Sequence, residues 1–95
     1  MSSLLTVSDV RLTDASSRDI RRGLVGYVSC VLNGSVHLEV TLRRTREGRP
    51  AISFPTRRDA RGREHAVVRL LRKEDRRWIE AEVFRALGIR YEAVP

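Results

Sequence analysis

Two clusters of arginine carry the strongest chemical signal in this sequence. Positions 43–63 hold eight arginines against two acidic residues, a local charge of +6, and positions 69–77 hold five basic residues against two acidic ones, a local charge of +3. Guanidinium groups bind phosphate oxygens through paired hydrogen bonds, so both clusters are typical of a phosphate-binding surface. The candidate nucleic-acid-binding residues are Arg57, Arg58, Arg61, Arg63, Arg72, Lys73, Arg76 and Arg77.

The whole chain shares this basic character, with 19 Lys and Arg residues against 12 Asp and Glu and a formal charge of +7. A small basic domain is typical of nucleic-acid binding, because neutralising phosphates releases condensed counterions. Two plainer interpretations stay open. A GC-rich genome would also produce so many arginines, and Arg76 and Glu80 have the spacing of an intrahelical ion pair.

Catalytic motifs are sparse. The hairpin described below would place Cys30 opposite His37, a pair that could activate a thiol, but a small buried thiol beside a strand histidine is the simpler interpretation. The sequence has no Gly-rich phosphate loop, metalloprotease motif or nucleophile elbow, and one cysteine and two histidines do not make a zinc site. We expect no enzyme activity, no cofactor, no metal and no small-molecule substrate.

The 95 residues are expected to form one domain, 1–95, with a core over about residues 4–88. The first residues lack the basic start and apolar run of a signal peptide, and no stretch approaches the ~20 apolar residues of a membrane span. We therefore expect a cytoplasmic protein without membrane contact.

The elements that must position the arginines begin with a strand. Residues 4–12 alternate in their second half and predict a strand, whereas residues 14–22 are polar without a period and predict a loop. A hairpin follows, since Asn33-Gly34 supplies the positive φ angles of a type I′ turn between two β-rich runs.

A two-residue turn fixes the register of this hairpin, so residues whose numbers sum to 67 should pair. The predicted core face carries the pairs Val31/Val36, Ser29/Leu38, Tyr27/Val40 and Val25/Leu42. The opposite face is mixed and carries Cys30/His37, Val28/Glu39, Gly26/Thr41 and Leu24/Arg43.

Further along, residues 51–55 predict a short strand that ends at proline, residues 59–63 a turn around Gly62, and residues 64–71 a strand that becomes ambiguous. From about Lys73 the period becomes helical, and Gly88 lies where a helix-ending glycine belongs. The predicted buried stripe of this helix is Ile79, Val83, Phe84, Ala86 and Leu87. The fold class is therefore α+β: an antiparallel β-sheet of about five strands with a C-terminal helix packed on one face.

Two motifs resemble the stage V sporulation protein G (SpoVG) family. Residues 7–12, VSDVRL, are similar to that family's V-T-D-V-R-L opening. Phe54-Pro55-Thr56-Arg57-Arg58 followed by Gly62 resembles its M-P-S-[KR]-[KR]-x-x-x-G segment, with the same distance from proline to glycine. The likeness covers about residues 6–88.

The resemblance implies a small bacterial regulator that binds DNA, and in some members RNA, as a homodimer formed through strand pairing. It places nucleic-acid contacts at Arg57, Arg58 and Arg76. The alternative is a protein-interaction module that recruits a partner through a strand edge and binds nucleic acid only non-specifically.

Overall fold

The computed structural model describes residues 5–89. Within them the chain forms six strands and two helices, which confirms the α+β class. In chain order these elements are β1 (Val7–Asp14), α1 (Ser17–Ile20), β2 (Leu24–Leu32), β3 (Val36–Arg44), β4 (Pro50–Ser53), β5 (Thr56–Arg58), β6 (Glu64–Ala66) and α2 (Lys73–Leu87). No helix in this part of the chain is both long and apolar enough to cross a membrane.

The strands form two antiparallel sheets. One has four strands in the order β1-β2-β3-β4, and the other is the two-stranded β5–β6 hairpin. The sheet of about five strands expected from the sequence is thus a four-stranded sheet with a separate small hairpin after it.

Helix α2 covers one face of the four-stranded sheet. Ile79, Val83 and Phe84 are each at most 1% exposed and pack into one cluster with the inward residues of β2, β3 and β4. The helix ends at Gly88, whose φ of 71° is easily reached without a β-carbon. The predicted helix and its cap are confirmed, except that Ala86 lies outside the buried stripe and is exposed.

The β2–β3 register differs from the prediction by one residue. From Gly26 to Leu32 partner numbers sum to 68 rather than 67, so Val28 lies opposite Val40 and Cys30 opposite Leu38. Beyond a bulge between Leu24 and Gly26, Leu24 pairs with Arg43 as predicted. Asn33 and Gly34 do have the positive φ angles of a type I′ turn, at 53° and 65°. However, Ser35 stays outside the ladder, so three residues separate the strands.

Contacts of Asn33 with the chain before β1 accompany this longer loop. The Asn33 backbone N–H donates to the Thr6 carbonyl at 2.9 Å, and its side-chain oxygen accepts from the Thr6 N–H at 2.8 Å. These bonds tie the loop to a third segment of chain. A hairpin considered alone contains no information about them, and the extra residue changes the register.

The shift exchanges the faces of β2, because strand side chains alternate. The predicted core positions Tyr27 and Ser29 lie on the open face, and Val28, Cys30 and Leu32 are buried instead. On β3 the prediction is correct for the buried Leu38, Val40 and Leu42, but Val36 is 55% exposed.

The segment between β1 and β2 also departs from the prediction. Its predicted loop contains the short helix α1, whose N-cap Ser16 accepts a hydrogen bond from the Asp19 N–H at 3.3 Å. β1 itself continues to Asp14, past the predicted end at Leu12. Leu4, the predicted start of that strand, lies outside the described residues.

Candidate nucleic-acid interface

The β5–β6 hairpin presents the first arginine cluster. Thr56 pairs with Ala66, Arg57 with His65 and Arg58 with Glu64, and every residue of both strands is exposed. The N–H of Val67 donates to the Pro55 carbonyl at 3.0 Å and closes the base of the hairpin. Its side chains therefore face solvent and not the core.

Asp59 organises the turn at the tip of this hairpin. Its Oδ1 accepts the backbone N–H groups of Arg61 at 2.8 Å and Arg63 at 3.0 Å, and its Oδ2 lies 2.7 Å from Nε2 of His65. Hydrogen bonding to His65, followed by the Arg63 N–H, holds the pKa of the Asp59 carboxyl below its ordinary value. Gly62, with a φ of 81°, lets the chain reverse, as the sequence predicts.

This arrangement decides which groups of the turn remain available to a ligand. The Arg61 and Arg63 amides are bound by Asp59 and cannot form a backbone nest for an anion. Their guanidinium groups, and that of Arg57, have no ion-pair partner among residues 5–89. Arg58 lies 3.9 Å from Glu64, a long pair between side chains that are 71% and 60% exposed. Arg57, Arg61 and Arg63 are called the hairpin arginines below.

The second cluster begins at the N-terminus of α2, where the cations meet carboxylates of their own chain. Nε of Arg72 lies 3.0 Å from Oδ2 of Asp75, a second guanidinium nitrogen lies 3.2 Å from Oδ1, and Glu74 is 3.8 Å away. Asp75, with a smaller effect of Glu74, raises the pKa of Arg72. Lys73 and Arg77 are exposed and have no ion-pair partner in the described part of the chain.

Arg76 joins the helix to the edge of the main sheet. A guanidinium nitrogen donates to the Ile52 carbonyl at 3.1 Å, and Cζ lies 5.4 Å from the centre of the Phe54 ring. One turn further along, Oε2 of Glu80 accepts from the Ile52 N–H at 3.4 Å. Two helix side chains therefore satisfy the outward backbone groups of Ile52 on the edge strand β4, and Arg76 has a structural role.

A cleft with a volume of about 770 Å³ lies between the open face of the main sheet and the chain from Phe54 to Leu70. The sheet contributes the open-face residues of β2, β3 and β4, and Arg76 reaches the cleft from α2. The lining side chains that bear charge or an aromatic ring are Tyr27, Glu39, Arg43, Phe54, Glu64, Arg69 and Arg76.

Among the eight candidate residues, Arg76 alone lines this cleft, and Arg57, Arg58, Arg61 and Arg63 lie on the hairpin beside it. Arg43 and Arg69, which belong to the two sequence clusters but not to the eight candidates, also line the cleft. Tyr27 was missed because the predicted register placed it in the core. With the observed register, it would have been expected on the open face beside Thr41.

Cys30 and His37 do not face each other, contrary to the predicted register. Cys30 lies opposite Leu38 and is 1% exposed, and burial raises the pKa of its thiol. His37 is exposed on the other face, with Nε2 3.2 Å from the Glu39 carboxylate. His37 is therefore not placed to activate this thiol.

No protein-family model, curated protein or solved structure matches this chain at a significant level. The function of the hairpin arginines and of the basic residues on α2 is therefore inferred from geometry and charge.

Proposed function

We propose that this protein is a nucleic-acid-binding regulator that binds phosphates through the arginines of its β5–β6 hairpin. The observation that carries this proposal is that Arg57, Arg61 and Arg63 are exposed and have no carboxylate partner within residues 5–89. Nucleic acid presents a dense row of phosphates, and each phosphate neutralised by Lys or Arg releases counterions. Arginines without an internal partner can make this exchange without first breaking an ion pair.

The hydrogen bonds within the turn support this proposal. Asp59 binds the turn amides and His65, so its negative charge is held against backbone donors at the centre of the turn. Asp59 thus fixes the backbone of Arg61 and Arg63, the residues that carry two of the guanidinium groups. A turn fixed from within presents its cations with less conformational entropy left to lose on binding.

Lys73 and Arg77 on α2 provide a second basic contact. Both are exposed and without an ion-pair partner in the described chain, unlike Arg72. We therefore assign phosphate contact on the helix to Lys73 and Arg77. Arg72 and Arg76 act first through their bonds to Asp75 and to the Ile52 carbonyl.

We propose that the regulator acts as a homodimer with DNA or RNA as its partner, as the SpoVG resemblance implies, and that it acts in the cytoplasm. The strand pairing that the resemblance implies for the dimer would have to form away from Ile52 of β4, whose outward N–H and C=O groups are bound by Glu80 and Arg76. A second copy would double the number of arginine surfaces and would support a domain whose small size leaves little margin of stability. Light scattering during gel filtration measures the molar mass in solution. A monomeric mass at micromolar concentration would overturn the dimer, and the phosphate-binding surface would then be tested separately.

The experiment compares two triple variants that remove the same charge. One replaces Arg57, Arg61 and Arg63 with alanine. The matched control replaces Arg18, Arg21 and Arg22 on and beside α1, which are also exposed and also lack ion-pair partners within the described chain. Binding of a labelled duplex or RNA is measured by fluorescence anisotropy at ~150 mM salt, near physiological ionic strength.

The hairpin variant is expected to bind at least about tenfold more weakly, a loss of ~1.4 kcal/mol, while the α1 variant binds as the wild type. Equal losses of affinity in both variants would show that only net charge matters, and would contradict a specific site on the hairpin.

The alternative function, recruitment of a protein through a strand edge, meets an obstacle at β4. There the outward N–H and C=O groups of Ile52 are bound by Glu80 and Arg76. The other edge strand, β1, is bulged between Ser8 and Arg11, a feature that discourages pairing. Affinity that collapses for duplex, single strands and RNA alike at ~150 mM salt would favour this alternative.

A further inference from the structure

The cleft beside the hairpin has a depth and an aromatic lining that phosphate binding does not require. Its volume of about 770 Å³ lies in the range of pockets that hold organic ligands, roughly 300–1,000 Å³. One wall is the open face of the main sheet, and the other is the hairpin with the segment that leads from it to α2. A surface that only tracked a sugar–phosphate backbone would need neither depth nor an aromatic wall.

Tyr27 supplies that aromatic wall. The residue is 47% exposed on the open face of the sheet, with small polar residues beside it, Thr13 on β1 and Thr41 on β3. Within residues 5–89 its ring has no aromatic partner, and its hydroxyl has no hydrogen-bond partner. A half-exposed tyrosine without such partners is suited to stacking with a ligand ring.

Arg43 and Arg69 line the same cleft from opposite sides, one from the end of β3 and one from the segment before α2. Neither has an ion-pair partner in the part of the chain that the structure describes. The cleft is lined by three arginines, Arg43, Arg69 and Arg76, against two carboxylates, Glu39 and Glu64, and Glu64 lies 3.9 Å from Arg58. The net charge of the lining is therefore positive.

We infer that the cleft binds an unpaired nucleotide of a single strand, with its base stacked on Tyr27 and its phosphates at Arg43 and Arg69. The inference rests on the proposed nucleic-acid binding and assigns its ligand class. A base can stack on a protein ring only when it is splayed from its own stack, which single strands permit and an intact duplex does not. Open aromatic rings combined with arginine are the usual means of holding such strands.

The test compares Tyr27→Leu, which removes the ring, with Tyr27→Phe, which keeps it. Binding of a labelled single strand of about ten nucleotides and of its duplex is measured by fluorescence anisotropy for the wild type, both Tyr27 variants and the hairpin triple variant. Tyr27→Leu is expected to weaken single-strand binding about 5- to 150-fold, the effect of losing one stacked base, and to leave duplex binding unchanged. Tyr27→Phe should retain wild-type affinity for both.

Arg43→Ala and Arg69→Ala provide a second readout that does not depend on how the sheet tolerates a change at Tyr27. Each should reduce the slope of log affinity against log salt by about 0.7 for single strands, the value for one lost phosphate contact. Arg22→Ala is the matched control and should leave this slope unchanged.

The outcomes separate this inference from the proposed function. If the hairpin variant weakens binding but Tyr27→Leu does not, the cleft inference is overturned and the hairpin site stands. If Tyr27→Leu weakens single-strand and duplex binding equally, the preference for single strands is overturned. If neither variant weakens binding, both proposals fail.

Discussion

In the body formed by β1–β4 and α2, two arginines are bound by groups of their own chain, whereas three arginines of the β5–β6 hairpin have no ion-pair partner within residues 5–89. Arg76 donates to the Ile52 carbonyl and lies over Phe54, and Arg72 is held by Asp75. Arg57, on the hairpin, has no such partner within residues 5–89. The same residue type therefore has two roles, and local charge counted along the sequence does not separate them.

The two regions also differ in what stabilises them. The body has a continuous apolar cluster with Ile79, Val83 and Phe84 of α2 at its centre. The hairpin has no buried residue in either strand and depends on its short ladder, the Asp59 turn and the Val67–Pro55 bond. Because the hairpin buries so little, substitutions of its surface charges should change the free energy of unfolding only slightly. Exposed loops and turns of this kind often carry binding residues.

The largest effect on stability is expected in the body, from Phe84→Ala. The ring is 1% exposed, so its removal leaves a cavity and should lower the free energy of unfolding by roughly 3–5 kcal/mol. Urea denaturation followed by circular dichroism measures this. Thr56→Ala on the hairpin is the counterpart and should cost less than about 0.5 kcal/mol. Similar losses from both changes would contradict the division into body and hairpin.

An intermediate effect is expected for Arg76→Ala, which removes the hydrogen bond to Ile52 and the contact with Phe54. The loss should be about 1–3 kcal/mol. Arg77→Ala, the next residue on the helix, is the matched control and should change stability by less than about 0.5 kcal/mol, because Arg77 has no ion-pair partner in the described chain. Equal stability of the two variants would show that Arg76 is not structural.

The smallest effect is local to the hairpin and appears at low pH. The pKa of Asp59 is lowered from its ordinary 3.8 in the folded protein, so Asp59 contributes stability at pH above 3.8. That contribution is lost as the pH falls through the lowered folded pKa. NMR shifts of the Arg61 and Arg63 amides should therefore titrate with a midpoint below 3.8. In Asp59→Asn this titration should disappear, whereas a midpoint at or above 3.8 would show that the turn does not depend on the carboxylate.

Sequence alone was sufficient where a signal was local. The helix from Lys73 to its cap at Gly88 and the turn around Gly62 follow from periodicity and from glycine's conformational freedom. The β2–β3 register did not follow, because Ser35 stays outside the ladder in a loop that hydrogen bonds to Thr6, 27 residues before Asn33. That error moved Tyr27 into the predicted core and concealed the cleft.

The candidate arginines were identifiable from charge, but their partners were not. Bonds from Arg76 to Ile52 and from Glu80 to the same residue join α2 to β4, and they arise only when the helix lies across the sheet. Sequence could therefore predict a basic surface, but not which of its arginines were already occupied.

The salt dependence of binding tests the central claim most directly. For a dimer with about three to five phosphate contacts per copy, the slope of log duplex affinity against log salt should be roughly −5 to −9. Replacing the three hairpin arginines in both copies should make this slope shallower by about 5 units, while the α1 triple variant keeps the wild-type slope. A wild-type slope near zero, or equal slopes in the two triple variants, would contradict phosphate binding by the hairpin.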